Sequence, residues 1–157
     1  MEKKRILVID DDEVVRKNFK AILELEGYNV DTAVTGKEAV DKSNASFYNL
    51  ALIDIRLPDM EGTQLLTAMH DTVPKMVKII VTGYPSLENA KDAVNMGADG
   101  YIVKPIMDTD EFLQKIKEHL TNRRKPNDTA STRWRSTLKR EQDKRKQKRQ
   151  EPSMILL

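Results

Sequence analysis

Three carboxylates stand in a row at Asp10, Asp11 and Asp12, directly behind the apolar run Ile6–Ile9. A fourth, Asp54, closes the run "LALID"; Thr82 closes "VKIIVT", and Lys104 closes "GYIVK". Two like charges ~4 Å apart repel by about 4 kcal/mol at an effective dielectric of ~20, so acids gathered in one place need a cation to offset them. Clustered carboxylates without His or Cys favour a hard ion, Mg²⁺ or Mn²⁺, held by oxygen ligands and water. A carboxylate beside such an ion can attack phosphorus and form an aspartyl phosphate. A lysine ammonium and a hydroxyl can then stabilise the phosphoryl oxygens.

For that chemistry, four separate segments must meet at one edge. The chain alternates strand-like and helix-like stretches: "RILVID", "EVVRKNFKAILELEG", "NVDTA", "TGKEAVDKS", "LALID", "EGTQLLTAMH", "VKIIVT", "SLENAKDAVNMG", "GYIVK" and "DTDEFLQKIKEHL". Val15, Phe19, Ile22 and Leu23 recur at helical spacing, and Gly27 and Gly97 mark helix ends. Thr35 with Glu38, and Asp108 with Glu111, have the spacing of capping boxes. Strands alternating with helices predict right-handed crossovers and a parallel sheet covered on both faces, a (βα)5 α/β fold. Ligands of such sheets bind beyond the carboxyl ends of the strands, where Asp10, Asp54, Thr82 and Lys104 all fall.

The 157 residues suffice for one domain with a core, and the absence of Cys excludes a disulfide framework, a thiolate metal site and a cysteine nucleophile. No apolar run approaches the ~20 residues that span a bilayer, which predicts a soluble, cytoplasmic protein without a membrane partner. Residues 1–121 hold 15 Lys and Arg against 21 Asp and Glu, a charge of −6; residues 122–157 hold 12 against 4, a charge of +8. The break divides an acidic domain, 1–121, from a basic linker and tail, 122–157. "PNDTAST" reads as a linker. Thr132 to Gln150 are good helix formers, Glu141 and Arg145 have favourable spacing, and Trp134 and Leu138 are the tail's apolar pair. The tail is expected to be partly helical or disordered, too short for a standard output domain, with contact to nucleic acid or an acidic partner as its functional reading.

"LVIDDD", "LALIDIRLPDMEG", "VTGY" and "GADGYIVKPI" resemble the signature segments of the two-component response regulator receiver domain, over about residues 4–121. The resemblance implies a CheY-like, flavodoxin-like doubly wound sheet of five parallel strands in the order 2-1-3-4-5. It implies Asp54 as phosphoacceptor and Mg²⁺ (or Mn²⁺) as cofactor. Asp11 is then a direct metal ligand, Asp10 a ligand through water, and the Arg56 backbone carbonyl a further one. Asp12 becomes the first-turn acid of helix 1. Thr82 and Tyr101 are the implied switch residues, drawn inward on phosphorylation; Lys104 contacts the phosphoryl group, and the Lys104–Pro105 bond is cis. The implied donor is a histidine kinase or phosphotransfer protein. The implied output is a protein target or a second copy, engaged through helix 4, strand 5 and helix 5.

Other constellations carry less. His70 and His119 fall on predicted helices as surface residues, so the donor is external. Gly36–Lys37 is no P-loop, because Asp31 stands where the first glycine is required, and no G-x-G-x-x-G occurs. A haloacid-dehalogenase-like phosphatase would need a general acid two residues after Asp54, where this chain has Arg56; turnover of phosphate esters is not expected. A nucleic-acid regulator acting through the tail is the other alternative. Arg56 and Tyr84 would flank the water that hydrolyses an aspartyl phosphate, and neither is a good base at neutral pH. Self-phosphotransfer with slow autodephosphorylation is the activity expected.

Overall fold

The computed structural model describes residues 2–69, 72, 74–121, 140 and 143–146. The chain divides into two units, Met1–Arg123 and Arg124–Leu157. In the second, residues 140 and 143–146 are helical and exposed; Trp134, Leu138, Glu141 and the linker lie outside the described residues.

The first unit holds five strands and five helices in strict alternation: β1 (Arg5–Ile9), α1 (Glu13–Leu25), β2 (Asn29–Ala33), α2 (Gly36–Ala45), β3 (Leu50–Asp54), α3 (Gly62–Ala68), β4 (Val77–Thr82), α4 (Leu87–Asn95), β5 (Gly100–Val103) and α5 (Thr109–Thr121). All strand pairs are parallel, in the order β2-β1-β3-β4-β5. The order explains the layers. The step from β1 to β2 runs one way across the sheet and every later step runs the other, so right-handed crossovers put α1 on one face and α2, α3 and α4 on the opposite one. The α1 face has a core of Ile6, Val8, Leu50, Leu52, Ile79, Val81 and Ile102, closed by Phe19 and Leu23 of α1 and by Phe112, Ile116 and Leu120 of α5. The rings of Phe19 and Phe112 stack with centroids 5.3 Å apart, joining α1 to α5. Alternation turns Leu7, Ile9, Ala51, Ile53 and Ile80, all buried, towards the other face. A strand buried on both faces reads as an almost wholly apolar run, and β3 and β4 match their sequence-predicted spans, although Lys78 interrupts β4.

Helix ends follow local chemistry. Gly27 and Gly97 adopt φ of 94° and 97°, a conformation that costs glycine little. After α1, Gly27 and Tyr28 N–H donate to the carbonyls of Glu24 and Leu23; after α4, Gly97 and Ala98 repeat the pattern on Val94 and Ala93. At α2 the Glu38 N–H donates to Thr35 Oγ1 at 3.1 Å, but the return bond reaches one residue further than a capping box, with Val34 N–H donating to Glu38 Oε2 at 2.9 Å. Asp108 accepts from Glu111 N–H at 3.1 Å. Helix α3 stops at Ala68, short of the predicted span, and His70 lies outside the described residues. His119 is half-buried rather than a surface residue: its ring packs where a β-carbon at Gly100 would lie 2.9 Å from Nε2. No described helix is long and apolar enough to cross a membrane.

The start of α3 is pressed against the end of β3. A β-carbon at Gly62 would overlap the Asp54 carbonyl oxygen and lie 2.9 Å from Ile55 Cα, and Gly62 N–H donates to the Ile55 carbonyl at 2.7 Å. These neighbours are backbone and cannot swing aside. Gly62→Ala should therefore cost about 2–3 kcal/mol through overpacking, read as a lower urea midpoint at unchanged slope. A loss below about 0.5 kcal/mol, the range of an ordinary surface change, would contradict that close approach.

Candidate metal and phosphoryl site

Strand register builds the site. Ile9 pairs with Ile53, so the next residues along these neighbouring strands, Asp10 and Asp54, lie side by side. This is also the point where the strand order reverses and leaves a crevice beyond the strand ends. Asp54 pairs with Val81 and Thr82 with Val103, which sets Thr82 and Lys104 successively along the same edge. Lys104 N–H donates to the Thr82 carbonyl at 2.7 Å.

Carboxylate oxygens of Asp10, Asp11 and Asp54 lie within 4.8 Å of one another. Asp10 and Asp54 are buried and Asp11 is exposed. Both oxygens of Asp10 are engaged: Oδ1 accepts from Asp12 N–H at 2.9 Å, and Oδ2 accepts from Lys104 Nζ at 2.8 Å. An ion would displace Lys104 or reach Asp10 through water, whereas Asp11 faces solvent. Asp12 does not belong to the cluster. It is the N-cap of α1 rather than a first-turn acid, accepting from Val14 and Val15 N–H at 2.9 and 3.3 Å. The donor set is oxygen only, so the acidic pocket suits a hard divalent cation.

Lys104 is the positive charge of the site. Its Nζ lies 2.8 Å from Asp10 Oδ2 and 3.7 Å from Asp54 Oδ1. Burial pulls its pKa down, but the bond to Asp10 and the charges of Asp54 and Asp10 outweigh that, and the net shift is upward. For Asp54 the balance reverses. Burial, then the Asp10 charge, push its carboxyl up to about 6, against Lys104 and the Arg56 N–H, which lies 3.5 Å from Oδ1. The Lys104–Pro105 peptide is cis, as the sequence resemblance implies.

Thr82 is fully buried, and its Oγ1 accepts from Tyr84 N–H at 3.0 Å. Tyr101 already points inward at 8% exposure, and burial drives its phenol up to about 12 against a hydrogen bond from the Ser86 backbone. Arg56 and Tyr84 are joined: the guanidinium carbon sits 4.8 Å from the ring centroid, within cation–π range. Sequence reading misses Arg16, whose Nη1 donates to the Asp10 carbonyl at 2.7 Å and fixes the turn after β1. It also misses Asp59, whose partners lie 22 and 23 residues away.

The raised Asp54 pKa carries a sign. The folded value lies above the unfolded one, near 3.9, so folding favours the protonated acid. The metal-free protein thus carries the full penalty above about pH 6, and loses it as pH falls below about 4. With chelator present, Asp54→Asn should be more stable than wild type by about 1–3 kcal/mol at pH 7.5, the gap closing towards pH 4. A gap independent of pH would show that charge is not its source.

A family model for the response regulator receiver domain matches residues 6–117. The crystal structure of a CheY-like response regulator receiver domain protein from Methanospirillum hungatei JF-1 is 52% identical, with a TM-score of 0.72, covering 76% of this chain and 94% of that one. A response regulator from Burkholderia pseudomallei, solved with a phosphorylated aspartic acid, a calcium ion and citrate, is 33% identical at a TM-score of 0.67, covering 76% of this chain and 68% of that one. The alginate biosynthesis transcriptional regulatory protein AlgB of Pseudomonas putida is 36% identical over 101 residues, 64% of this chain. The chain spans only 22% of that relative's length. With the sheet order, the acidic crevice and these matches in agreement, the chain belongs to the response regulator receiver domain family of two-component systems.

Proposed function

We propose that the protein is a phosphorylation-controlled switch that accepts a phosphoryl group on Asp54 from a histidine kinase or phosphotransfer protein. The observation that carries this reading is the convergence of three carboxylates within 4.8 Å with Lys104 Nζ only 3.7 Å from Asp54. An Asp54 oxygen forms the new P–O bond as the donor's P–N bond breaks, the electron pair leaving with the donor imidazole. The Asp54 carboxyl, pushed up to about 6 in the metal-free site, is still largely ionised at pH 7, and the ionised carboxylate is the nucleophile. Asp10, Asp11, Asp54 and the Arg56 carbonyl would hold Mg²⁺, which when bound offsets charge on the carboxylates and the phosphoryl oxygens. Lys104 leaves Asp10 for a phosphoryl oxygen, and the Thr82 hydroxyl donates to another.

Thr82 links chemistry to output. Turning its hydroxyl towards the phosphoryl group releases the Tyr84 N–H that Oγ1 now holds. Tyr101, already inward, packs behind it, and the surface of α4, β5 and α5 changes for a protein target or a second copy. Incubation with a small phosphodonor and Mg²⁺ should add one base-labile phosphoryl group per chain. Asp54→Asn should prevent it, and labelling of His70 or His119 instead would overturn the reading.

In this reading the stacked Arg56 and Tyr84 would cover the approach to Asp54. Hydrolysis needs a water in line with the P–O bond, opposite the leaving carboxylate. Neither side chain is a general base at neutral pH, so they exclude that water without activating another. Slow self-dephosphorylation follows. Decay of the phosphorylated protein should accelerate in Arg56→Asn and Tyr84→Ala, with the double variant little faster than either, because each single change already breaks the stack. Unchanged or slower decay would remove the cover from the mechanism.

A further inference from the structure

Helix α2 has its own N-cap in Thr35, which accepts from Glu38 N–H. Its first two amides look elsewhere. Gly36 N–H donates to Asp59 Oδ1 at 2.8 Å, and Lys37 N–H donates to Asp59 Oδ2 at 2.9 Å. Asp59 belongs to the loop between β3 and α3, five residues after the phosphoacceptor. One carboxylate therefore fills the two helix-end donors that Thr35 cannot reach, and favours the positive end of the α2 dipole. The bonds from Gly36 and then Lys37 hold its carboxyl below the usual range. Beside this contact, Met60 occupies the space that a β-carbon at Gly36 would need.

The loop is itself closed. Leu57 N–H donates to the Met60 carbonyl at 3.2 Å, Gly62 N–H to the Ile55 carbonyl at 2.7 Å, and Arg56 bridges Glu61 in antiparallel fashion. Asp59 sits at the tip of that closed turn, and Arg56 at its base, where the turn leaves β3. A turn stitched across its base moves as one body, so a tether at the tip fixes the orientation of the Arg56 peptide.

We propose that Asp59 is a positioning residue that ties the phosphoacceptor loop to the N-terminus of α2 and so holds the Arg56 carbonyl in place for the cation. The last clause rests on the metal reading given above; the tether does not. Partners behind a metal ligand typically govern affinity by tenfold or more, because they remove the freedom the ligand would otherwise lose on binding.

The test compares Asp59→Ala, Asp59→Asn and Thr35→Ala in the full chain. Mn²⁺ affinity is read by electron paramagnetic resonance, and amide exchange is read without metal. Asp59→Ala should weaken Mn²⁺ binding about tenfold, and speed exchange at Leu57 and Gly62. Asp59→Asn keeps one of two acceptors and should fall between it and wild type. Thr35→Ala removes a cap from the same helix but not the tether, so it should lower the melting temperature while leaving both readouts at wild-type values. Equal changes in Thr35→Ala and Asp59→Ala would mean that helix stability alone matters, and would overturn the proposal. So would equal Mn²⁺ losses in Asp59→Asn and Asp59→Ala with unchanged loop exchange, because the effect would then be charge. Asp11→Asn separates the two readings: if it binds Mn²⁺ like wild type, the metal reading fails, and the exchange rates decide the tether alone.

Discussion

Two carboxylates, Asp10 and Asp54, are forced together by the register of β1 and β3 and buried by the packing around them, and the rest of the site answers that one repulsion. Water cannot screen charges at 2% and 8% exposure as it does at the surface. Among the described residues Lys104 is the cation that pairs with both carboxylates, and it is divided unequally, 2.8 Å from Asp10 and 3.7 Å from Asp54. Asp10 takes the closer ion pair and a backbone N–H besides, while burial first and then the Asp10 charge raise the pKa of Asp54. A site short of positive charge by design will gain free energy from a cation, a protonation or a change of Lys104 partner. Each of these alters what Asp54 can do.

The loops around the crevice are tied by the same groups that would do chemistry. Asp10 holds Asp12 N–H, and Arg16 holds the Asp10 carbonyl. Thr82 holds Tyr84 N–H, and the Tyr84 ring takes Arg56. Asp59 holds the loop that carries Arg56. In the proposed reading, a Thr82 hydroxyl that turns to a phosphoryl oxygen frees the Tyr84 N–H, whereas Asp59 ties the turn that carries Arg56 to α2. On the proposed reading, the β4–α4 side would respond while the β3–α3 side, tied through Asp59, would stay in place.

Much of this was legible in the sequence because parallel strands buried on both faces leave uninterrupted apolar runs, and because a strand of known direction places its last residue at a known edge. Asp54, Thr82 and Lys104 could be read that way, and Gly27 and Gly97 marked helix ends through their backbone freedom alone. The resemblance added what spacing cannot, the cis Lys104–Pro105 peptide, whereas Tyr101, expected to turn inward on phosphorylation, is already buried. Contacts that join residues far apart in sequence left no local trace. Asp59 gives no sign in "LPDMEG" that it will cap α2, Glu38 bonds Val34 rather than Thr35 for reasons of side-chain reach, and His119 is drawn in only because Gly100 offers it space. Arg56 and Tyr84 were each legible as neighbours of the water path, but their mutual stacking depends on how two loops meet.

Two lysines show why burial of charge does not by itself mark function. Lys78 is only 4% exposed, more deeply buried than Lys104, yet its ammonium donates to the carbonyls of Leu66 and Met69, both at 3.0 Å, at the C-terminal end of α3. Those acceptors are backbone, fixed in place and unable to titrate, and the negative end of a helix dipole suits an ammonium. Lys104 faces carboxylates whose charge changes with protons, cations or a phosphoryl group, and whose oxygens lie close enough to exchange it between them. The two backbone carbonyls that hold Lys78 cannot change charge, whereas Lys104 lies between two carboxylates, one of which, Asp54, has its pKa raised.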